Sequence, residues 1–314
     1  MSYDYIRPNG KLIKWLLEGD PAIVYQVNRD LLDTGINLNV LQQNIALEGW
    51  GKKLLDAQGK DGLWGRGYYS PKWVSTHYTI LQMMRIGFPS DHMAPKVALM
   101  KYLNEKFSSD MGIDVSATSK KSDVCVTAMV LSMLCYFKIV DDRMSDMLTY
   151  FEKTRLYDGG WNCNHAGGDF HSSVHTTLSV LDALERARRF GIKSNVDVDD
   201  LINSGMTFML NHKLYQSHRT GQPMQKQFTR FSFPPRWFFD VMKAMDQFQM
   251  HDVPQNENFD DALKLICKKQ RKSGKWTVQN KHAGREHFEM EKSGQESRWN
   301  TLRALRILKK YGEV

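Results

Sequence analysis

Long apolar runs are missing from this chain. No unbroken stretch reaches the ~18 residues that a bilayer-spanning helix requires, and the mean hydropathy of -0.50 agrees. Cysteine is scarce: Cys125, Cys135, Cys163 and Cys267 are too few and too scattered for a disulfide framework. With 9 Pro and 22 Gly in 314 residues, collagen-like and disordered readings fall away. Period-two alternation is absent too, which excludes an all-β fold. Neither a glycine-rich phosphate loop nor a G-x-S-x-G elbow occurs. The first twenty residues carry acidic and polar side chains where a secretion signal needs an apolar core, so the expected location is the cytoplasm, with reduced thiols.

Acidic residues are in deficit, 35 against 43 Lys and Arg, for a net charge of +8. The basic residues are nevertheless spread along the whole length. The densest run, Lys268–Lys272, closes a helix whose C-terminal dipole favours cations. No nucleic-acid partner is expected, since no basic arm or recognised motif is present. Peripheral membrane contact remains open, and oligomeric state has no signal.

What the chain does contain is a repeat. Gln58-Gly59-Lys60-Asp61-Gly62-Leu63-Trp64 and Gln270-Arg271-Lys272-Ser273-Gly274-Lys275-Trp276 both read Q-x-x-x-G-x-W. A third segment, Arg155-Leu156-Tyr157-Asp158-Gly159-Gly160-Trp161, keeps the Gly and the Trp. A Gln amide suits the free carbonyls at a helix end, Gly suits a left-handed turn, and Trp wedges into the next groove. The repeat is read as a helix stop.

Around these stops runs one helical rhythm. Segments before them are amphipathic, with Met93, Val97, Met100, Leu103 and Phe107 on one face, and Phe259, Leu263 and Ile266 on another. Segments after them are apolar almost all round, as from Val124 to Leu131, and should be buried on both sides. Six such inner helices are expected to begin near Pro21, Trp73, Ser122, Ser172, Arg236 and Ser297. The spacing fits an inner helix, a connection and an outer helix each time. The sequence therefore predicts an all-α protein, an (α/α)6 toroid of six inner and six outer helices, with residues 1–314 as a single domain.

These turns resemble the hallmark of the prenyltransferase and squalene-cyclase repeat superfamily, the terpenoid cyclase-like toroids. Asp158-Gly159-Gly160-Trp161 followed by His175–Leu181, and Arg298-Trp299-Asn300-Thr301-Leu302-Arg303, carry the same resemblance. It extends over nearly the whole length and is nearest to the small single-domain bacterial members. It implies the toroid and a central cavity; it specifies the reaction poorly, because one scaffold hosts many chemistries.

In such a barrel the first turns of the inner helices face the cavity rim. Alignment on the apolar runs places His77, Val126, His175, Phe238 and Trp299 at equivalent positions. Tyr25, Arg29, Asp123, His171, Arg236, Trp237, Asp240, Glu296 and Arg298 lie nearby. Arg29, Arg236 and Arg298 suit a diphosphate or carboxylate; alternatively they pair with Asp240, Asp123 or Glu296. His77, His175 and Asp240 are the candidates for proton transfer.

Cys163, His171 and His175 form a zinc-type ligand set, with His171 and His175 one helical turn apart. Here the resemblance implies more: protein prenyltransferase β chains hold zinc through an Asp-x-Cys pair and a later His. Cys163 and His175 match the Cys and His by order, but Trp161 stands in place of the Asp, leaving Asp169 or His171 to substitute. A second motif, Asp197-Val198-Asp199-Asp200, resembles the Asp-x-Asp-Asp acid of squalene–hopene cyclases, yet the rhythm places it as the cap of an outer helix.

The leading expectation is a terpenoid-handling enzyme of cyclase or prenyltransferase type, binding an isoprenoid or its diphosphate. The alternatives are a non-catalytic toroid that binds a small anion or a protein, and an (α/α)6 carbohydrate-active enzyme. The latter would need paired carboxyls from Asp123, Asp240 and Glu296, and platforms such as Trp73 and Trp237.

Overall fold

The computed structural model describes residues 3–33, 35–116, 121–168 and 170–312, the side chains of 165 and 166 excepted. They form thirteen α-helices, and helix makes up 53% of the structure. The helices are α1 Gly10–Leu17, α2 Pro21–Asp30, α3 Leu38–Leu47, α4 Gly49–Asp56, α5 Thr76–Ile86, α6 Met93–Lys106 and α7 Val124–Tyr136. They continue with α8 Arg143–Thr154, α9 Val174–Phe190, α10 Val198–Asn211, α11 Val241–Met250, α12 Asp260–Lys268 and α13 Arg298–Tyr311. Among the described residues, no helix is long and apolar enough to cross a membrane. Packing divides the chain into two units: Met1–Ala57, Arg85–Pro89 and Lys213–Val314 make the first, Gln58–Met84 and Ser90–His212 the second.

The six expected apolar segments correspond to α2, α5, α7, α9, α11 and α13, each starting within five residues of the expected place. Helix α7 is buried from Val124 to Cys135 without a break, and packs chiefly on α9. The helices that precede the turns, such as α8 and α12, bury one face. Phe259, Leu263 and Ile266 are fully buried, as their spacing requires. The face of α6 differs from expectation. Met93 and Val97 are 65% and 45% exposed, and the buried stripe is instead Pro95, Ala98, Leu99, Tyr102 and Leu103. Both stripes have helical spacing; Tyr102 decides between them, because its ring stacks on Tyr68.

The repeated turns share one hydrogen-bond pattern. In the second unit Gly59 N–H donates to the Leu63 carbonyl at 2.7 Å, and Gly62 N–H to the Gly59 carbonyl at 2.9 Å. Leu156 and Gly159 repeat this with Gly160 and Leu156, and in the first unit Arg271 and Gly274 repeat it with Lys275 and Arg271. Gly62, Gly159 and Gly274 all have φ between 79° and 93°. Gln58 and Gln270 donate their amides to the carbonyls of Gly62 and Gly274, at 2.8 and 3.0 Å. The Gln thus closes the turn itself, instead of capping the preceding helix.

Each turn is then tied to the next buried helix by a threonine. Thr76, Thr177 and Thr301 accept the backbone N–H of Trp64, Trp161 and Trp276, each at 3.0 Å. The indole N–H of Trp161 and of Trp276 donates to the carbonyl ten residues earlier, Phe151 and Ile266. All three Trp are fully buried. A fourth copy was not legible in the sequence. Ser108 and Gly112 close the same turn, and Ile113 N–H reaches Thr127 Oγ1 at 2.8 Å. There Ile113 replaces Trp, and Met111, with φ of 71°, replaces the left-handed Gly.

In the first unit the core of α2, α11 and α13 contains charge. Arg306, on α13, bonds both oxygens of Asp246 at 2.5 and 2.6 Å, and also Asp30 and Gln26 at 2.8 Å. Arg303 adds a 3.2 Å bond to Asp246. Buried guanidinium groups require such partners.

Two stability measurements test these points. Gly274→Ala should cost about 1 kcal/mol, the price of φ alone, because the new Cβ would meet Ile6 and Leu12 at 3.6 Å, an ordinary contact. Met111→Gly should change thermal stability in the opposite direction. Asp246→Asn should lower unfolding free energy by about 3 kcal/mol, read from urea titration, since it leaves buried guanidinium charge undercompensated.

Candidate functional site

The threonine bonds fix the register of the buried helices and shift it from the apolar-run alignment. Two residues before Thr127, Thr177 and Thr301 stand Cys125, His175 and Trp299; the same position before Thr76 is Val74. Cys125, not Val126, is therefore the equivalent of His175, and His77 lies three residues further along its own helix.

Within the second unit, Asp123, Cys125 and Cys163 bring one ligand atom each to within 4.8 Å of one another. Among the described residues this is where metal-ligating side chains converge. Asp123 is the N-cap of α7, accepting Val126 N–H at 3.1 Å. Cys125 follows in the first turn and is buried. Cys163 opens a short 3-10 helix, Cys163–Gly167, just after the Trp161 turn. Its N–H and its Sγ both lie 3.2 Å from Thr176 Oγ1. Thr177 holds Trp161 and Thr176 holds Cys163, so adjacent threonines on α9 deliver the thiol.

The turns supply rigid support. Asp110 accepts from Ser122 N–H at 2.9 Å, and Asp158 does the same for Ser172. Gly160 permits this close approach; a Cβ there would stand 2.5 Å from Thr177 Oγ1 and 2.8 Å from Ser172. Tyr150 donates its hydroxyl to the Ser122 carbonyl at 2.9 Å, one residue before Asp123.

Phenols surround the cluster. Burial holds Tyr69, Tyr102 and Tyr150 protonated, and the neighbouring Asp123 and Cys125 push them further the same way. Tyr78, beside Tyr69 and Cys125, is likewise held protonated. His77 is fully buried, with Nδ1 3.3 Å from the Tyr102 hydroxyl and its ring edge-on to Tyr69 and Tyr78. Trp73 packs edge-on against Tyr78 at 4.7 Å. The Cys125 thiol is pushed well up by its hydrogen bond with Cys163, by burial and by the charge of Asp123. Three groups that would each be anionic on losing a proton thus share one small volume.

The other expected residues are placed elsewhere. His171 is exposed and pairs with the Tyr157 hydroxyl at 2.9 Å; His175 is half-buried on the first turn of α9; neither belongs to the converging group. Asp169 lies outside the described residues. Arg29 pairs with Asp30 and covers the Tyr25 ring, Arg236 pairs with Glu286, and Arg298 bonds the Trp15 carbonyl and stacks on its indole. Asp240 is 1% exposed, caps α11 through Lys243 N–H and accepts from Ser232 N–H. Glu296 faces solvent against Lys275 at 2.7 Å. Trp237 stacks on Phe238, and Trp299 on Phe233. In Asp197–Asp200, Asp197 caps α10, Asp199 meets Arg188 and Asp200 meets Arg155.

No protein-family model matches the chain, and no curated protein matches it.

Thiol labelling checks the cluster. Burial pushes Cys135 up to about 12 and Cys267 up to about 11. At pH 8, in chelator-treated protein, an alkylating reagent should modify half-buried Cys163 first, with Cys125 and Cys135 reacting only after unfolding; peptide mass mapping reads the order.

Proposed function

We propose that the chain is a zinc-dependent enzyme acting on an isoprenoid, with Asp123, Cys125 and Cys163 as the protein ligands. The carrying observation is the convergence of their donor atoms within 4.8 Å. One carboxylate and two thiols are a donor set that would suit zinc. Bound there, the ion supplies Lewis acidity and favours the deprotonated form of a coordinated thiol or water.

The remaining work falls to the chain. Thr176 orients Cys163, and Asp110 with Tyr150 fixes the start of α7. Tyr69 and Tyr78 pack around His77 as a dry aromatic layer, with Tyr102 behind it, and such a layer suits a site from which water is kept out. His77, with Nδ1 3.3 Å from the Tyr102 hydroxyl, is an imidazole placed among these phenols.

The resemblance supports the same reading. Asp123-Val124-Cys125 has the Asp-x-Cys form that Trp161 denies to Cys163, and Cys163, on the 3-10 turn before α9, would be the third ligand in place of the pattern's His. The six buried helices, alternating with helices buried on one face, support closure into an (α/α)6 toroid.

Elemental analysis of protein purified without chelator tests the proposal. One zinc per chain is expected, lost in Cys125→Ser and in Cys163→Ser with helical circular dichroism retained. A wild-type chain that neither carries zinc nor takes it up on titration overturns the metal centre. A zinc-loaded chain that neither binds nor cleaves allylic prenyl diphosphates overturns the substrate class.

A further inference from the structure

We infer that the first unit carries a second, independent binding site, a pocket for a single aliphatic chain ending in an anionic head. The pocket measures about 420 Å³ and opens between the N-terminal segment, the end of α2 and the last turns of α13. That volume falls in the range of small-molecule sites. Ile13, Leu31, Leu32 and Leu305 give it apolar surface, Tyr5 and Asn9 polar surface, and Arg7 and Lys309 line it as well.

Lys309 decides the charge of the ligand. Its ammonium donates to the backbone carbonyls of Asp30 at 2.9 Å and Leu31 at 3.5 Å, both neutral acceptors. Among the described residues no carboxylate pairs with it, in contrast to Lys310, which meets Asp252 at 2.8 Å. Arg7 adds a second positive group to the same pocket. On the wall, Gly10 leaves open space: a Cβ there would meet nothing within 4 Å. Apolar surface alone would accept any hydrocarbon; apolar surface beside the Lys309 ammonium selects an amphipathic anion. Every lining residue belongs to the first unit, so the site stands whether or not the zinc centre does.

Isothermal titration of the full chain with decanoate, decanol and decyltrimethylammonium tests the assignment. Decanoate should bind saturably at one site, decanol more weakly, and decyltrimethylammonium not at all. Lys309→Gln, at an exposed position, should weaken decanoate roughly five-fold, as loss of one partly screened charge predicts. Lys309→Arg should restore the affinity, and Ile13→Trp should remove it by filling the wall. No decanoate binding, equal binding of decanoate and decanol, or a Lys309→Gln variant indistinguishable from wild type overturns the proposal. Cys125→Ser should leave decanoate binding unchanged, which separates this site from the metal centre.

Discussion

A single hydrogen bond, from the first backbone N–H after a tight turn to a threonine hydroxyl on the following helix, organises everything else in this chain. It occurs at Trp64, Ile113, Trp161 and Trp276, on Thr76, Thr127, Thr177 and Thr301. A buried N–H left without a partner would cost about 1–3 kcal/mol, so each turn is held to a definite register on its helix. The indole or isoleucine beside that N–H then fills the groove, and burial of its apolar surface follows from the bond's geometry. The bond orients; the hydrophobic effect stabilises.

The same device positions chemistry. Because Thr177 fixes Trp161, Thr176 is left next to Cys163, and Thr127 sets Cys125 at the first turn of α7 beside the capping Asp123. The candidate ligands are therefore by-products of the repeat in their placement, though not in their identity. The first unit carries its buried charge further along the helix, past Trp299, which holds the position of Cys125. Arg303 and Arg306 occupy the core of α13 with Asp246, Asp240 and Asp30, a satisfied network that holds helices together and leaves no carboxyl idle.

Much of this architecture can be read from sequence, because periodicity and composition report it directly. The six buried helices, the left-handed Gly62, Gly159 and Gly274, and the Asp197 cap follow from spacing and residue type. Register is harder. An all-apolar helix such as α7 has no polar face to align, so Val126 and Cys125 are interchangeable by pattern, and the threonine bond alone separates them. Ile113 and Met111 hide a fourth turn because a hydrogen bond to backbone does not depend on which side chain is present. The tyrosines around Asp123 come from four separate segments, and no local pattern links Tyr69, Tyr78, Tyr102 and Tyr150. The face of α6 was ambiguous for a related reason: two apolar stripes compete, and only a tertiary contact of Tyr102 chooses.

The distance along the chain between each turn and its threonine is not constant. It is 12 residues at Trp64, 14 at Ile113, 16 at Trp161 and 25 at Trp276. Closing a flexible loop of twice the length costs only about 0.6 kcal/mol more, so the tie survives insertion almost unchanged. Cys163, His171, Tyr69 and Trp73 all sit inside such spans. The fold thus separates a fixed frame from interchangeable cassettes clamped at both ends, and a new cavity wall can be introduced by lengthening one cassette without redesigning a helix.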